Sequence, residues 1–188
     1  MRILAVLAVL PTVSAADTCR DELADILGAD LTANGPYIAT NTNQVNGIQQ
    51  VYRQLFLTDT HYLVETLQPE GLPDTLTYDG GAWQRDGTGG WELIRRFDID
   101  ETVDGVAAQR AALADGVASA SCEGDVIEGV VGETRWFGPE LHVRYVLHPE
   151  TRSVQEFTFD FTVNGAEILA HFVIEAAPGL ELPAPSDR

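Results

Sequence analysis

Two cysteines, Cys19 and Cys122, are the residues whose type and number point most directly to a reaction. Two thiols in an exported chain meet an oxidising compartment, where the reaction open to them is closure of one bridge. They do not form a C-x-x-C pair, and neither has a histidine at ligand spacing, which argues against redox catalysis and a zinc site. Lipid attachment at Cys19 is the other chemistry to weigh. Lipid-modified bacterial proteins carry small uncharged residues immediately before the cysteine, whereas Asp17 and Thr18 stand there in this chain. The expectation is a structural disulfide between Cys19 and Cys122.

The remaining polar groups offer less. His61, His142, His148 and His171 do not fall at metal-ligand spacing, so no metal site is assigned. None of the serines sits in a G-x-S-x-G turn. All 11 basic residues are arginine, which removes Schiff-base chemistry and a phosphate-loop lysine together. With 29 acidic residues any two could be named as a hydrolase pair, and abundance alone does not choose between them. Asp160, flanked by Phe159 and Phe161, stands out among them, though a polar outer strand face explains it. No catalytic residue is assigned and no cofactor is called for.

Aromatic side chains carry more information. Tyr52, Phe56, Tyr62, Trp83, Trp91 and Trp136 fall on expected strands, where ordinary core packing accounts for most aromatic residues. Tyr and Trp combine large apolar area with a polar tip, and these six are the candidates for lining an apolar ligand site.

Composition limits the partners. The 188 residues carry a formal charge of −18 and 45% hydrophobic residues, so the chain folds but repels phosphate backbones. Nucleic-acid binding is excluded on that ground. Met1-Arg2, the apolar run Ile3 to Leu10, and the small residues of Val13-Ser14-Ala15 make a short secretory leader, with cleavage expected near Ala15. The run is too short to span a bilayer, and no integral membrane span is expected. The mature protein should be periplasmic or secreted, and an envelope protein is a second kind of partner to consider.

Elements that must position these residues follow from periodicity. Thr18 to Leu27 reads as a short helix, with Leu23, Ile26 and Leu27 on one face and Gly28 as its stop. Strands are expected at Tyr37–Thr42, Ile48–Leu57, Tyr62–Leu67, Thr75–Tyr78, Ala82–Arg85 and Trp91–Ile94, with Asn46-Gly47 and Asp79-Gly80 as hairpin turns. Asp98 to Ala120 has helical spacing, as one helix or two short ones around Gly105 and Gly116. Further strands are expected at Val126–Val131, Thr134–Phe137, Leu141–Leu147, Val154–Val163 and Ala166–Ala176. Asn164-Gly165 joins the last two, so that Phe161 faces Ile168 and Phe157 faces Phe172. Residues 1–15 are then a signal peptide, 16–177 one domain, and 178–188, with three prolines, a loose tail. The fold class is α+β: a large curved antiparallel β-sheet, a half-barrel of hairpins, with a short N-terminal helix and a second helical segment packed on one side.

The segment Tyr78-Asp79-Gly80-Gly81-Ala82-Trp83 with Gly90-Trp91, and the late turn in Phe161-Thr162-Val163-Asn164-Gly165-Ala166, resemble hairpins of the periplasmic lipoprotein carriers of the Lol type and related lipid-binding lipoproteins. The resemblance spans most of the mature chain as architecture. It implies an unclosed barrel holding acyl chains on its concave face, hence an exported carrier with an apolar or lipid-like ligand. The strong negative charge departs from what a carrier docking at membranes would use. Two other readings stay open: a secreted hydrolase using a carboxylate pair, and an inhibitor or assembly module acting through its surface.

Overall fold

A computed structural model describes residues 15–185. Except for Ala15, the leader read at residues 1–15 lies outside the described residues. The chain begins with α1 (Ala15–Gly28) and a 3-10 turn at Leu31–Asn34. Six strands follow: β1 (Tyr37–Val45), β2 (Ile48–Thr58), β3 (His61–Gln68), β4 (Thr75–Tyr78), β5 (Gly81–Arg85) and β6 (Trp91–Arg96). After α2 (Ile99–Asp115) come β7 (Val117–Glu123), β8 (Val126–Val131), β9 (Leu141–Leu147), β10 (Val154–Val163) and β11 (Ala166–Ala176).

All eleven strands form one sheet in the order β6-β5-β4-β3-β2-β1-β11-β10-β9-β8-β7. Every ladder is antiparallel. Two meanders are thus joined where β1 pairs β11, from Tyr37↔Ala176 to Val45↔Ile168. The sheet is curved and does not close into a barrel. Helix geometry accounts for the curvature. β6 and β7 are the two edges, and α2 connects them. A 17-residue helix is about 25 Å long, while ten strand gaps laid flat would separate the edges by about 48 Å. The sheet must curl for the helix to reach. The hairpins use the dipeptides expected of them: Asn46 and Gly47 adopt φ of 49° and 80°, Asn164 and Gly165 of 52° and 78°.

Three expected elements differ. α1 takes in Ala15–Asp17 ahead of the expected first residue Thr18, and Ala15 and Ala16 are good helix formers. Residues 98–120 do not stay helical throughout. The 17-residue α2 tolerates Gly105, ends at Asp115 before Gly116, and Val117 onward pairs with β8. Cys122 therefore lies on β7, so the bridge ties α1 to a strand and not to the end of the second helix. Thr134–Phe137 is a turn with one isolated bridge, Thr134↔Gly138. The Phe137 amide donates to Thr134 Oγ1 (3.0 Å) where a ladder bond would stand, and Gly138 (φ 80°) with Pro139 ends any extension.

The main core lies on the face of β8–β10 that meets the helices. Leu23 and Leu27 of α1 and Leu113 of α2 pack with Ile127, Val131, Leu141, Val143, Tyr145 and Leu147. Cys19, Leu23 and Leu27, spaced at four-residue intervals, form the buried stripe of α1. The helix comes close because β8 offers Gly129: a Cβ there would meet the Leu23 side chain and lie 2.6 Å from Ser119 O. Each large side chain buried here contributes roughly 1.5–3 kcal/mol. Among its partners in the helices and sheet, α2 packs chiefly on α1.

A second core occupies the opposite, outer face of the first meander. Leu55, Leu63, Leu76 and Trp83 are buried there, with Ile38, Tyr78, Trp91 and Leu93 beside them. Residues 178–185, read from sequence as loose, lay Leu180 and Leu182 against this cluster, and Pro183 O lies 3.2 Å from His61 Nε2.

Burial pushes the Tyr145 hydroxyl well above the ordinary tyrosine range, because ionisation in this core has no solvent to support it. Unfolded tyrosine ionises near pH 10, so the native state holds its proton longer. The stability this gives is complete below about pH 10 and declines as pH rises beyond it. A Tyr145→Phe variant is expected to lose less melting temperature than the natural chain between pH 9.5 and 11. Parallel profiles in a pH series of thermal melts would contradict this.

Candidate functional site

On alternate positions of a strand, side chains point to opposite faces, so register assigns each aromatic residue to a side. Phe157, Phe159 and Phe161 of β10 share the helix face with Tyr145 and Leu141 of β9. Following the ladders across, the same face continues through Ile168, Ala170 and Phe172 of β11 to Tyr37, Ala39, Asn41, Asn43 and Val45 of β1. It continues through Tyr52, Gln54 and Phe56 of β2 to Tyr62, Val64 and Thr66 of β3. Rings stack along it: Tyr37 on Phe56 with centroids 4.8 Å apart, Phe56 on Tyr62 at 5.2 Å, and Phe157 on Phe172 at 4.3 Å.

The six aromatic residues singled out from sequence therefore divide. Tyr52, Phe56 and Tyr62 lie together on the helix face. Trp83 and Trp91 belong to the core on the outer face, where the Arg85 guanidinium sits 4.7 Å from the Trp91 ring. Trp136 is in the turn after β8, under Arg135 at 4.3 Å, and not on a strand. Tyr37 and Phe172 join the helix-face set; the sequence reading set Phe172 opposite Phe157 but named neither residue as a site candidate. Their signal was alternation with Ala39 and Ile174, apolar residues of the same face.

A cleft of about 500 Å³ lies between the first meander and the N-terminal half of α2. Its wall is apolar at Tyr62, Ala82 and Phe97 and largely charged elsewhere, with Asp59, Arg95, Arg96 and Asp98 from the sheet side and Glu101 from α2. Arg110 of α2 anchors the neighbouring end, donating from Nη2 to Asp59 Oδ1 at 2.8 Å and to Asp30 Oδ1 at 3.3 Å. Asp30 also accepts from the Thr32 amide and hydroxyl. Burial raises its pKa, but those hydrogen bonds and the Arg110 charge outweigh it and hold Asp30 below the usual carboxylate range. Burial, reinforced by the charge of Asp59, raises Tyr37, so its hydroxyl stays neutral beside this ion pair.

Two polar side chains stand out on the helix face of β1, the central strand. Asn41 is only 5% exposed. Its Oδ1 and that of Asn43 are buried, and among the described residues neither has a hydrogen-bond partner. The nearest hydroxyl by register is Tyr52, opposite Asn41, and it donates to Gln50 Oε1 at 3.0 Å. Leaving a buried acceptor unpaired costs on the order of 1–3 kcal/mol. Asparagine is also disfavoured in strand interiors. That pair, at positions i and i+2 of a strand otherwise apolar on this face, is the sequence signal that was passed over.

The outer face of the second meander differs in character. A shallow groove of about 540 Å³ runs past Ser119, Glu128, His142, Arg144, Thr158 and Asp160. Arg144 Nε engages Glu128 Oε1 at 3.1 Å, and His142 Nε2 lies 2.8 Å from Glu140 Oε1. A hydrolytic pair needs one carboxyl held protonated. Asp30 and Asp86 shift the other way, Asp86 through hydrogen bonds from Thr88 and Gly90. Among the described residues no group of three or more His, Cys, Asp or Glu side chains is arranged to hold a metal ion.

No protein-family model matches the chain, and no curated protein matches it in sequence. Comparison of folds finds likenesses. The chain resembles LolA-superfamily structures. A LolA superfamily protein from Nitrosomonas europaea aligns over 91% of this chain and 96% of its own, at 9% identity and a TM-score of 0.40. A domain described as an outer membrane lipoprotein-sorting protein, from Vibrio parahaemolyticus, aligns over 86% and 92% at 10% identity and a TM-score of 0.36. A DUF1329 family protein from Desulfovibrio piger aligns over 89% and 96% at 9% identity and a TM-score of 0.33. These are likenesses of architecture alone.

Proposed function

We propose that the protein is an exported binding or carrier protein that holds an apolar, lipid-like ligand on the helix face of its unclosed sheet. The observation that carries this reading is the aromatic row Tyr37–Phe56–Tyr62 beside the cleft under α2. Phe172, Ile168 and Val64 extend the same face, all half-buried and none within the core clusters. Such a face can take an acyl chain without disturbing either core. The periplasmic or secreted location, after removal of the leader near Ala15, is supported by the Cys19–Cys122 bridge. Among the described residues no helix is long and apolar enough to cross a membrane.

The test uses displacement of a fluorescent fatty-acyl probe, since Trp83 lies on the outer face and would report poorly. Native mass spectrometry of the protein purified from its own compartment should also show a bound lipid. A Phe56→Asp variant should weaken probe binding by about tenfold or more, whereas Trp91→Ala should leave it unchanged. No binding by the natural chain, together with no lipid in the purified protein, would overturn the reading. A loss in Trp91→Ala matching that in Phe56→Asp would place the ligand elsewhere.

A further inference from the structure

We infer that Asn41 and Asn43 anchor the head group of the ligand, which is a neutral amphiphile carrying hydroxyl donors. This inference rests on the apolar-ligand reading above and specifies the ligand class. Both side chains point from the central strand onto the face that carries the aromatic row. Asn41 is buried, and both Oδ1 atoms lack a donor among the described residues. Positions two apart on one strand face stand about 7 Å from each other, a span that a glycerol-sized group bridges.

The chemistry of the two acceptors narrows the head group. A carboxylate or phosphate ester anion offers no donor to the two buried Oδ1 atoms and could engage only the amide Nδ2 groups, and a chain of net charge −18 opposes it at longer range. An ammonium donor is more strongly hydrated than a hydroxyl and would lose more on burial beside two neutral amides, and the nearby Asp59 carboxylate is engaged by Arg110. A hydroxyl donates a hydrogen bond at a smaller desolvation cost. The apolar chain would then run from Asn41 toward Phe56 and Tyr62, and the aromatic row would select length and shape but not head group.

The experiment compares 1-monodecanoylglycerol, methyl decanoate and decanoate by calorimetric titration into the full chain, each below its critical micelle concentration. The monoacylglycerol should bind about five- to tenfold more tightly than the ester, with decanoate weakest. Asn41→Leu should remove that preference, so that the glycerol compound binds no more tightly than methyl decanoate. It should also hold or raise the melting temperature of the free protein, since it removes an unpaired acceptor; a purely structural asparagine would lower it. Equal binding of ester and monoacylglycerol by the natural chain overturns the inference and leaves the apolar site standing. So does a preference that survives in both Asn41→Leu and Asn43→Val. Failure of all three compounds to bind overturns this inference together with the reading beneath it. The comparison in the natural chain decides the matter even where a variant does not fold.

Discussion

Reducing the Cys19–Cys122 bridge is expected to lower the melting temperature by roughly 10–15 °C, the largest stability effect available in this chain. The bridge closes a loop with a sequence separation of 103. In the chain-entropy account, opening a loop of that length frees the unfolded chain by about 4–5 kcal/mol. For a domain of this size each kcal/mol moves the melting temperature by about 2–4 °C. Location adds to the effect. Cys19 is in the buried stripe of α1, Cys122 is on β7, and their Cα atoms are 5.7 Å apart. α1 is in turn the principal support of α2, and α2 spans the mouth of the sheet. Thermal melts with and without reductant, and of a Cys19→Ser/Cys122→Ser double variant, provide the measurement. Two titratable thiols in the untreated protein, or a shift of a degree or two, would show that the bridge does not secure α1.

Phe159→Ala is expected to cost about 3–4 kcal/mol in urea unfolding. Phe159 is half-buried, yet its ring is enclosed by Phe157 (5.2 Å), Phe137 (5.8 Å), Tyr145 (6.2 Å) and Phe172 (6.3 Å). Strands β9 and β11 flank it, so surrounding backbone cannot easily collapse into the space left behind. The next residue is the control. Asp160 points to the outer face, and Asp160→Ala should change stability by no more than about 0.5 kcal/mol. A cost below about 1 kcal/mol for Phe159→Ala would mean that this aromatic layer lies outside the cooperative core.

The hairpin of β10 and β11 shows how far local pattern reaches. Alternating phenylalanines, an Asn-Gly turn and alternating aliphatic residues imply the pairing of Phe157 with Phe172 and of Phe161 with Ile168, and both are present. The turn sets register, and register with period two sets which residues share a face. Pattern went astray where two periods overlap. Val117 to Ala120 continues the helical spacing of α2, but Gly116 ends the helix and the ladder to β8 takes these residues. Thr134 to Phe137 has strand-like residues without a neighbour to pair with.

The candidate site was less legible than the fold. Tyr52, Phe56 and Tyr62 were recognisable as aromatic residues on strands, and they do lie together. Trp83 and Trp91 looked equivalent to them in sequence, yet they face the other way, beneath Leu180 and Leu182. Asn41 and Asn43 read as unremarkable strand residues, because their lack of partners depends on what the other strands place around them.

Sequence by itself determined ten of the eleven strands, most of their turns, the antiparallel class and the cysteine pairing. These follow from short-range periodicity, from residues that accept positive φ, and from there being only two thiols. Tertiary structure alone decided three things: that β1 joins β11, that the two meanders bury opposite faces, and that α2 rests on α1 and leaves part of the sheet uncovered. The physical reason is that alternation along a strand defines two faces without saying which one will be inside. That choice is made by contacts between segments far apart in the chain, and it places the aromatic row, the cleft and the unpaired asparagines on one surface.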